Sequence, residues 1–239
     1  MQKRQKALFE IPALGLAVLA SFLTAQPAGA ASSRPAASAA VAASSRPSAS
    51  AAVAAPRQLI TVTAASHSTT YATLRAYRVS GGKRVLVFGP WQARVGYHGV
   101  ARSGTKREGD GRTPSGSYGF SFFFGVLAND RFAFPFRHAY AYDVWDDDPA
   151  SPRYNEWVDD RKHNPGARPE PMHNVPAYDY AAVIAYNTAR VPGRGSAIFL
   201  HVGTGSATAG CVSLPRAELI KVLRWLRPAD HPQITISAR

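Results

Sequence analysis

The only cysteine of the sequence, Cys211, stands in a setting that suits nucleophilic catalysis. His201 follows the apolar run 197–200, and the glycine-rich loop 203–210 leads from it to Cys211. A cysteine attacks a carbonyl as its thiolate, and a neighbouring imidazole supplies the base that removes the thiol proton. We therefore predict that Cys211 is a nucleophile and that His201 is its general base and acid.

Gly210, the residue before the cysteine, is predicted to act through its backbone. A glycine leaves room for a substrate, and the amides of Gly210 and Cys211 are suited to an oxyanion hole. A helix expected shortly after Cys211 would favour the thiolate through its N-terminus. Two alternatives stay open. One is a buried structural cysteine, and the other is a metal site of His201, Cys211 and a carboxylate, although no closely spaced ligand pair supports it.

The elements that must position these residues are mostly strands. Alternating or apolar runs predict strands at 59–62, 72–79, 84–88, 118–124, 181–186, 197–202 and 233–237. Gly81-Gly82 predicts a hairpin between the second and the third of these strands. A stripe of Leu219, Val222, Leu223 and Leu226 predicts one helix, which begins near Pro215 and ends by Pro228.

These patterns predict a mainly β domain, a sandwich or barrel with one clear helix after Cys211. Residues 146–180 are polar and rich in proline, so we expect a long irregular insertion there. The acidic residues 146–148, 159–160 and 170 are interpreted as solvated loop charges, with binding of an acceptor ammonium or a cation as the alternative. Aromatic residues of this region could pack in the core or line a substrate cleft; they are Tyr154, Trp157, Tyr178 and Tyr180.

The N-terminus predicts export. Residues 1–30 combine a basic start, an apolar run and Ala28-Gly29-Ala30, which is the pattern of a cleaved Sec-type signal peptide. A retained anchor is the alternative, but the apolar run is short for a membrane span, which takes about 20 residues. Residues 31–56 form an Ala/Ser/Pro-rich linker with two twelve-residue repeats, and 57–239 form the folded domain. We therefore expect an extracytoplasmic, cell-wall-associated protein with no transmembrane segment in its mature form.

The net charge of +13 indicates an anionic partner. The signal segment and the linker each carry a net charge of +2, which leaves +9 on the predicted domain. An anionic cell envelope is the natural counter-surface for an exported protein, and general solubility explains the charge equally well. The sequence has no helix with a basic face and no ladder of stacking aromatics, so we expect no nucleic acid partner.

At Cys211 the sequence resembles a known family. His201 with Ala209-Gly210-Cys211-Val212-Ser213-Leu214 resembles the catalytic motif of the YkuD-type L,D-transpeptidases. Upstream, Thr113-Pro114-Ser115-Gly116 within 106–118 resembles the stretch in which a Thr-Pro-x-Gly turn leads into a strand of that family. The run 181–200 also fits its secreted, actinobacterial-like members. The resemblance covers most of the region 95–228.

This resemblance implies an L,D-transpeptidase fold, with chemistry on peptidoglycan stem peptides. Cys211 would attack the carbonyl between an L-centre and a D-residue, and the thioester would pass to an amine of a neighbouring stem as a 3→3 cross-link. Such a role belongs to cell wall biogenesis and cell shape. The resemblance implies no metal or organic cofactor, and a backbone carbonyl in the loop 204–210 that orients His201. We expect a monomer, with substrate contacts at Thr113, Pro114, Gly116, Ser213 and Tyr180.

The motif also departs from the family pattern. Many members carry Ser/Thr-His-Gly-Cys, then a hydrophobic residue and Arg or Asn, whereas here Ala209 and Ser213 occupy the His and Arg/Asn positions. We therefore interpret the chain as a divergent member in which nucleophile and base are kept. Two other functions remain open: an L,D-carboxypeptidase, in which water replaces the amine, and a non-catalytic wall-binding module.

Overall fold

The protein is described by a computed structural model that covers residues 55–239. The signal peptide predicted at 1–30, and all but the last two residues of the linker predicted at 31–56, lie outside the described residues. No helix within 55–239 is both long enough and apolar enough to span a bilayer.

Strands dominate the described chain, which confirms the mainly β prediction. Ten strands form a curled sheet in the order β4-β13-β1-β2-β3-β12-β11-β10-β5-β6, and three form a small sheet in the order β8-β7-β9. The strands are β1 Gln58–Ala64, β2 Tyr71–Ser80, β3 Lys83–Arg94, β4 Gly116–Tyr118, β5 Phe120–Gly125, β6 Phe136–His138, β7 Asp143–Asp146, β8 Glu156–Asp159, β9 Glu170–Pro171, β10 Ala181–Ile184, β11 Phe199–Val202, β12 Val212–Leu214 and β13 Gln233–Ala238.

Local patterns explain the best-formed elements. In β2 the buried residues Ala72, Leu74 and Ala76 alternate with partly exposed ones, so one face of the strand packs on the core. Gly81 and Gly82 join β2 to β3 at φ +54° and +74°. Two-residue hairpin turns that match the strand twist need positive φ at both positions, and glycine adopts it without strain.

A single α-helix in residues 55–239 covers one part of the curled sheet. The helix α1, Arg216–Trp225, buries Leu219, Val222 and Leu223, as its apolar stripe predicted. A short 3-10 helix follows at Pro228–Asp230. The helix joins the main core, which also contains alternate residues of the central strands, among them Leu200 and Val212.

The insertion predicted to be irregular contains the small sheet, and this corrects the prediction. β7 pairs antiparallel with both β8 and β9. Trp145 and Trp157 from this sheet and Met172 just after it pack on the opposite face of the large sheet, against Phe124 and Phe199. We call this group the second cluster. Cys211 belongs to it, so the insertion forms part of the wall around the cysteine.

Candidate active site

Two neighbouring parallel strands bring the cysteine and the histidine together. β11 pairs with β12 so that His201 lies opposite Ser213, and Cys211 comes immediately before β12. Leu200 and Val212 point into the main core. Because side chains alternate along a strand, His201, Ser213 and Cys211 share the other face of the sheet.

Cys211 and His201 both line a cavity of about 320 Å³. The loop 208–210 forms one side of it, and Ala177 and Tyr178 form another. The remaining wall is partly charged. Its ionisable members besides Cys211, His201 and the tyrosines are Lys106, Glu108, Asp147 and Glu170.

The backbone around Cys211 fixes the thiol in place. The Phe199 amide donates to Sγ at 3.3 Å, and the thiol donates to the Ala197 carbonyl at 3.3 Å. The carbonyl of Cys211 accepts hydrogen bonds from the hydroxyls of Thr113 at 2.9 Å and Thr208 at 2.7 Å. Hydrogen bonds therefore hold both the side chain and the backbone carbonyl of Cys211.

The acceptor of the thiol hydrogen bond is itself in an uncommon conformation. Ala197 has φ +52°, a left-handed value that costs a residue with a Cβ about 1–2 kcal/mol. Its amide donates to Asn155 Oδ1 at 3.2 Å, and Asn155 also accepts from the Trp145 indole at 2.9 Å. The insertion thus supports the backbone that positions the cysteine, as strained residues at functional sites require.

Burial keeps the thiol protonated. Cys211 is only 6% exposed, and this burial raises the pKa of its thiol to about 12, although the Phe199 amide opposes the rise. The sequence predicts that the N-terminus of the following helix favours a thiolate, and the structure corrects this prediction. The strand β12 lies between Cys211 and α1, and burial outweighs any such effect.

His201 is buried and neutral. Burial lowers the pKa of its imidazole to about 4, while hydrogen bonds to the backbone of Val202 and Ala177 oppose the fall. Nδ1 lies 2.8 Å from the Val202 carbonyl. A carbonyl accepts only from a ring N–H, so Nδ1 carries the proton and Nε2 is the basic nitrogen.

The orienting carbonyl therefore differs from the expected one. It was predicted in the loop 204–210, but it belongs to Val202, the residue next to His201 on the same strand. Within the described residues, His201 makes no hydrogen bond to Cys211, whose thiol donates to Ala197 instead. Catalytic hydrogen bonds are often absent before the substrate binds, so the arrangement is compatible with a later proton transfer.

Carboxylates give the cavity a negative wall. Glu108 Oε2 accepts from the Tyr154 and Ser196 hydroxyls. Asp147 is half-buried, and burial together with Glu108 and Glu170 raises its pKa to about 6. Burial also raises the pKa of Glu170. Lys106 brings a positive charge, but its Nζ forms an ion pair of 2.7 Å with Asp110.

The acidic residues of the insertion consequently separate into different roles. Asp147 and Glu170 line the cavity, which fits the alternative interpretation better than solvated loop charges. Asp146 is fully buried, and it accepts hydrogen bonds from the Ser151 hydroxyl and the Asp148 amide. Its role is to hold the turn after β7. The sequence offered no local signal that would distinguish these neighbours.

Tyr178 is the aromatic residue that meets the catalytic candidates. Its ring lies edge-on to the His201 imidazole, with 5.5 Å between ring centroids. Its hydroxyl donates to Glu170 at 2.6 Å. Burial raises the pKa of Tyr178 well above its usual value, and the Glu170 carboxylate adds to the rise, so Tyr178 remains a neutral hydrogen-bond donor.

Several predicted substrate contacts do not line this cavity. Thr113 and Pro114 are buried, and Thr113 holds the Cys211 carbonyl from behind. Gly116 lies in the edge strand β4. Tyr180 is 8% exposed and packs in the main core on Phe132, with 5.3 Å between ring centroids. None of the four positions lines the first cavity, which corrects the prediction: Thr113, Pro114 and Tyr180 are buried by packing, and Gly116 is exposed on the edge strand.

Ser213 and Gly210 have different outcomes. Ser213 lies on the same face as His201, but it lines a second cavity beside the first. Gly210 lines the first cavity, and its amide donates to the Thr208 hydroxyl at 3.2 Å instead of pointing freely at a substrate. A Cβ at position 210 would lie 3.1 Å from the Arg112 carbonyl, a tight contact that glycine avoids. The orienting role predicted for Gly210 fits these contacts better than the oxyanion hole.

Within residues 55–239, no group of three or more His, Cys, Asp and Glu side chains is placed to hold a metal ion.

Comparison with known proteins bears on the fold around this cavity. The crystal structure of the helical cell shape determining protein Pgp2 from Campylobacter jejuni is similar over 76% of this chain and 48% of its own length, at 15% identity and a TM-score of 0.35. The chain thus spans about half of that structure, and a likeness at this level carries no argument about fold or function. No curated protein matches the chain. Residues 57–236 match the YkuD family, whose description is an L,D-transpeptidase catalytic domain. That match covers most of the sequence, and the chain therefore belongs to the YkuD family of L,D-transpeptidase catalytic domains.

Proposed function

We propose that this protein is an exported cysteine L,D-transpeptidase that forms 3→3 cross-links between peptidoglycan stem peptides. One observation carries the proposal. Cys211 and His201 lie on one face of neighbouring strands and line one cavity, and the hydrogen bond from Nδ1 to the Val202 carbonyl makes Nε2 the basic nitrogen of His201. This is the arrangement that acyl transfer through a thioester requires.

The first half-reaction forms the acyl-enzyme. Nε2 of His201 takes the thiol proton while Cys211 Sγ bonds to the carbonyl carbon between the L-centre and the terminal D-residue. The imidazolium then gives that proton to the leaving nitrogen as the amide C–N bond breaks. Burial lowers the pKa of His201 to about 4, so the imidazolium, once formed, is a strong acid for this step. The product is a thioester on Cys211 and a free D-amino acid.

The second half-reaction transfers the acyl group. An amine of a neighbouring stem attacks the thioester carbon, His201 removes the extra proton from that nitrogen, and the Cys211 thiol is restored. The carboxylates of Glu108, Asp147 and Glu170 support an amine as the acceptor, because they make the cavity attractive to an ammonium group. The same feature favours transfer over hydrolysis by water, which would make the protein an L,D-carboxypeptidase. A wall-binding module without activity would not need a buried thiol beside a basic imidazole.

Export and wall association are part of the proposal. A cleaved segment 1–30 and a linker 31–56 would place the domain outside the cytoplasm, on a tether that lets it reach the wall. Its charge of +9 is complementary to an anionic envelope. The mass and N-terminal sequence of the secreted protein test this, and we expect a chain that begins at Ala31.

Trapping the acyl-enzyme tests the mechanism. The purified protein is mixed with a synthetic stem tetrapeptide and quenched in acid, and its intact mass is then measured. We expect a mass increase equal to the tetrapeptide minus its terminal D-residue, carried by the peptide that contains Cys211. His201→Gln should reduce the adduct, and Cys211→Ala should abolish it. An adduct of equal yield on Cys211→Ala would exclude this mechanism.

A further inference from the structure

The structure contains a second cavity of about 230 Å³ near the cysteine-bearing segment. Its lining includes Tyr71, Arg94, Gly203 and Ser213. Cys211 and Ser213 are two positions apart on one extended segment, with Cys211 in the first cavity and Ser213 in the second. The two cavities are therefore neighbours along the strand that carries the nucleophile.

Strand register places the second cavity beside His201. Arg94 of β3 lies opposite Ser213 of β12, which lies opposite His201 of β11. Tyr71 of β2 lies opposite Arg94 on its other side. Directly paired residues point to the same face, so the four side chains form one row. Strands are about 4.8 Å apart, which puts the backbones of Arg94 and His201 about 10 Å from each other.

Two polar atoms of this row, in Ser213 and Arg94, lack hydrogen-bond partners. Ser213 is 1% exposed, yet its hydroxyl has no hydrogen-bond partner, and neither has the buried Nε of Arg94. Within residues 55–239, Arg94 forms no ion pair with a carboxylate, and no acidic side chain lines the cavity. The Tyr71 ring holds the guanidinium carbon 3.8 Å from its centroid. Buried polar atoms without partners are uncommon, and they fit a site that a ligand completes.

The chemistry of the row selects a carboxylate. A guanidinium presents a fork of N–H donors that matches a planar carboxylate, and a hydroxyl beside it adds a further donor. The first cavity has the opposite character, since Glu108, Asp147 and Glu170 would repel a negative group. A substrate with an anionic end is therefore directed to the Arg94 side of His201.

We propose that Arg94 and Ser213 bind the terminal carboxylate of the D-residue that leaves the stem peptide. This inference rests on the proposed function. His201 must deliver a proton to the leaving nitrogen, and in an amino acid only one carbon separates that nitrogen from the carboxylate. A terminal residue whose nitrogen meets His201 can thus place its carboxylate in the second cavity. Arg94 is a specificity-determining residue that forms no covalent bond and moves no proton.

The proposal predicts that the enzyme requires a free carboxyl terminus. Two substrates are compared: a stem tetrapeptide ending in D-alanine and the same peptide with a C-terminal carboxamide. A hydrogen bond to a charged group is worth about 1.5–3 kcal/mol, which corresponds to about a 10- to 100-fold preference of kcat/KM for the acid. Arg94→Gln should lower kcat/KM for the acid to the level of the amide, mainly through KM, and leave the amide unchanged. Arg84→Gln is the matched control, because Arg84 is an exposed arginine of the same strand.

Binding to an inactive protein separates this inference from the proposed function. In the Cys211→Ala background, the acid should bind about 10- to 100-fold more tightly than the amide, and adding Arg94→Gln should remove the difference. Tighter binding of the acid supports the carboxylate site even if the wild-type protein does not turn the peptide over. If the wild-type protein turns over acid and amide equally well, only the proposed function is supported. Equal dissociation constants for acid and amide would overturn the inference. The inference would also be overturned if an Arg94→Gln variant that unfolds at the wild-type temperature lost affinity for the acid and the amide to the same extent.

Discussion

Acidification from pH 7 to pH 4 is expected to lower the free energy of unfolding of the domain, because His201 is buried in its neutral form. The imidazole is 8% exposed, and burial lowers its pKa from 6.5 to about 4. At pH 5 the histidine of the unfolded chain therefore binds a proton, while the folded histidine does not. Because the unfolded state binds more protons, stability falls as the pH falls between these two values. The difference is worth about 3 kcal/mol, since each pH unit corresponds to about 1.4 kcal/mol.

Urea denaturation followed by circular dichroism at pH 7, 6, 5 and 4 measures this effect. Wild type should lose about 3 kcal/mol of unfolding free energy more than His201→Gln over this range, because glutamine does not titrate. Exposed His163 provides the control, and His163→Gln should keep the wild-type pH dependence. The raised pKa values of Asp147 and Glu170 act in the opposite direction, and they are common to all three proteins. If the unfolding free energies of wild type and His201→Gln depend on pH in the same way, the claim that His201 is buried and neutral would be refuted.

Other consequences follow from the same contacts. Burial raises the pKa of Cys211 from 9.0 to about 12, so iodoacetamide at pH 8 should alkylate the folded protein about a thousandfold more slowly than the protein unfolded in 8 M urea. Equal rates of alkylation would contradict the burial of the thiol. Thr113→Val removes the hydroxyl that accepts from the Gly96 amide and donates to the Cys211 carbonyl, so it should lower the free energy of unfolding in urea by about 1–3 kcal/mol and lower kcat. Thr113→Ser should keep the wild-type stability and kcat, and an active, fully stable valine variant would contradict this positioning role. Tyr178→Phe leaves Glu170 without its hydroxyl donor, so the pKa of Glu170 should rise further in an NMR titration, and an unchanged pKa would show that the hydrogen bond is absent in solution.

The features that the sequence predicted correctly are those with local causes. The alternation in β2, the two glycines after it and the stripe of α1 each depend on residues within a few positions of one another. The closeness of His201 and Cys211 is of the same kind, since a strand end, a turning loop and a return bring both to one face. Position 119 shows the limit, because the predicted strand 118–124 is divided there into β4 and β5.

The features that the sequence did not predict depend on contacts between distant segments. The strands of the small sheet are two to four residues long, too short for alternation to distinguish them from loops. The negative wall of the cavity combines Glu108, Asp147 and Glu170 from separate parts of the chain. Tyr180 was preferred as a substrate contact, but Tyr178 meets His201, and residue type alone cannot decide between two tyrosines so close in sequence.

The electrostatic state of the site is the clearest case of a property that burial decides. A helix after Cys211 suggested an activated thiolate, whereas the structure has a protonated thiol and a neutral imidazole. The burial of Cys211 depends on the packed second cluster, which also contains Phe199 and brings together distant parts of the chain. The reaction would therefore begin from a neutral pair, and the proton would move when the thiol bonds to the substrate carbonyl.

Incubation of the purified domain with tetrapeptide muropeptides tests the central claim most directly. Mass spectrometry should find cross-linked dimers together with released D-amino acid for wild type, and neither product for Cys211→Ala. If tripeptide forms without dimers, the acyl group is passed to water, and the protein is an L,D-carboxypeptidase and not a transpeptidase. Unchanged tetrapeptide with wild type, or dimers formed equally well by Cys211→Ala, would contradict the account.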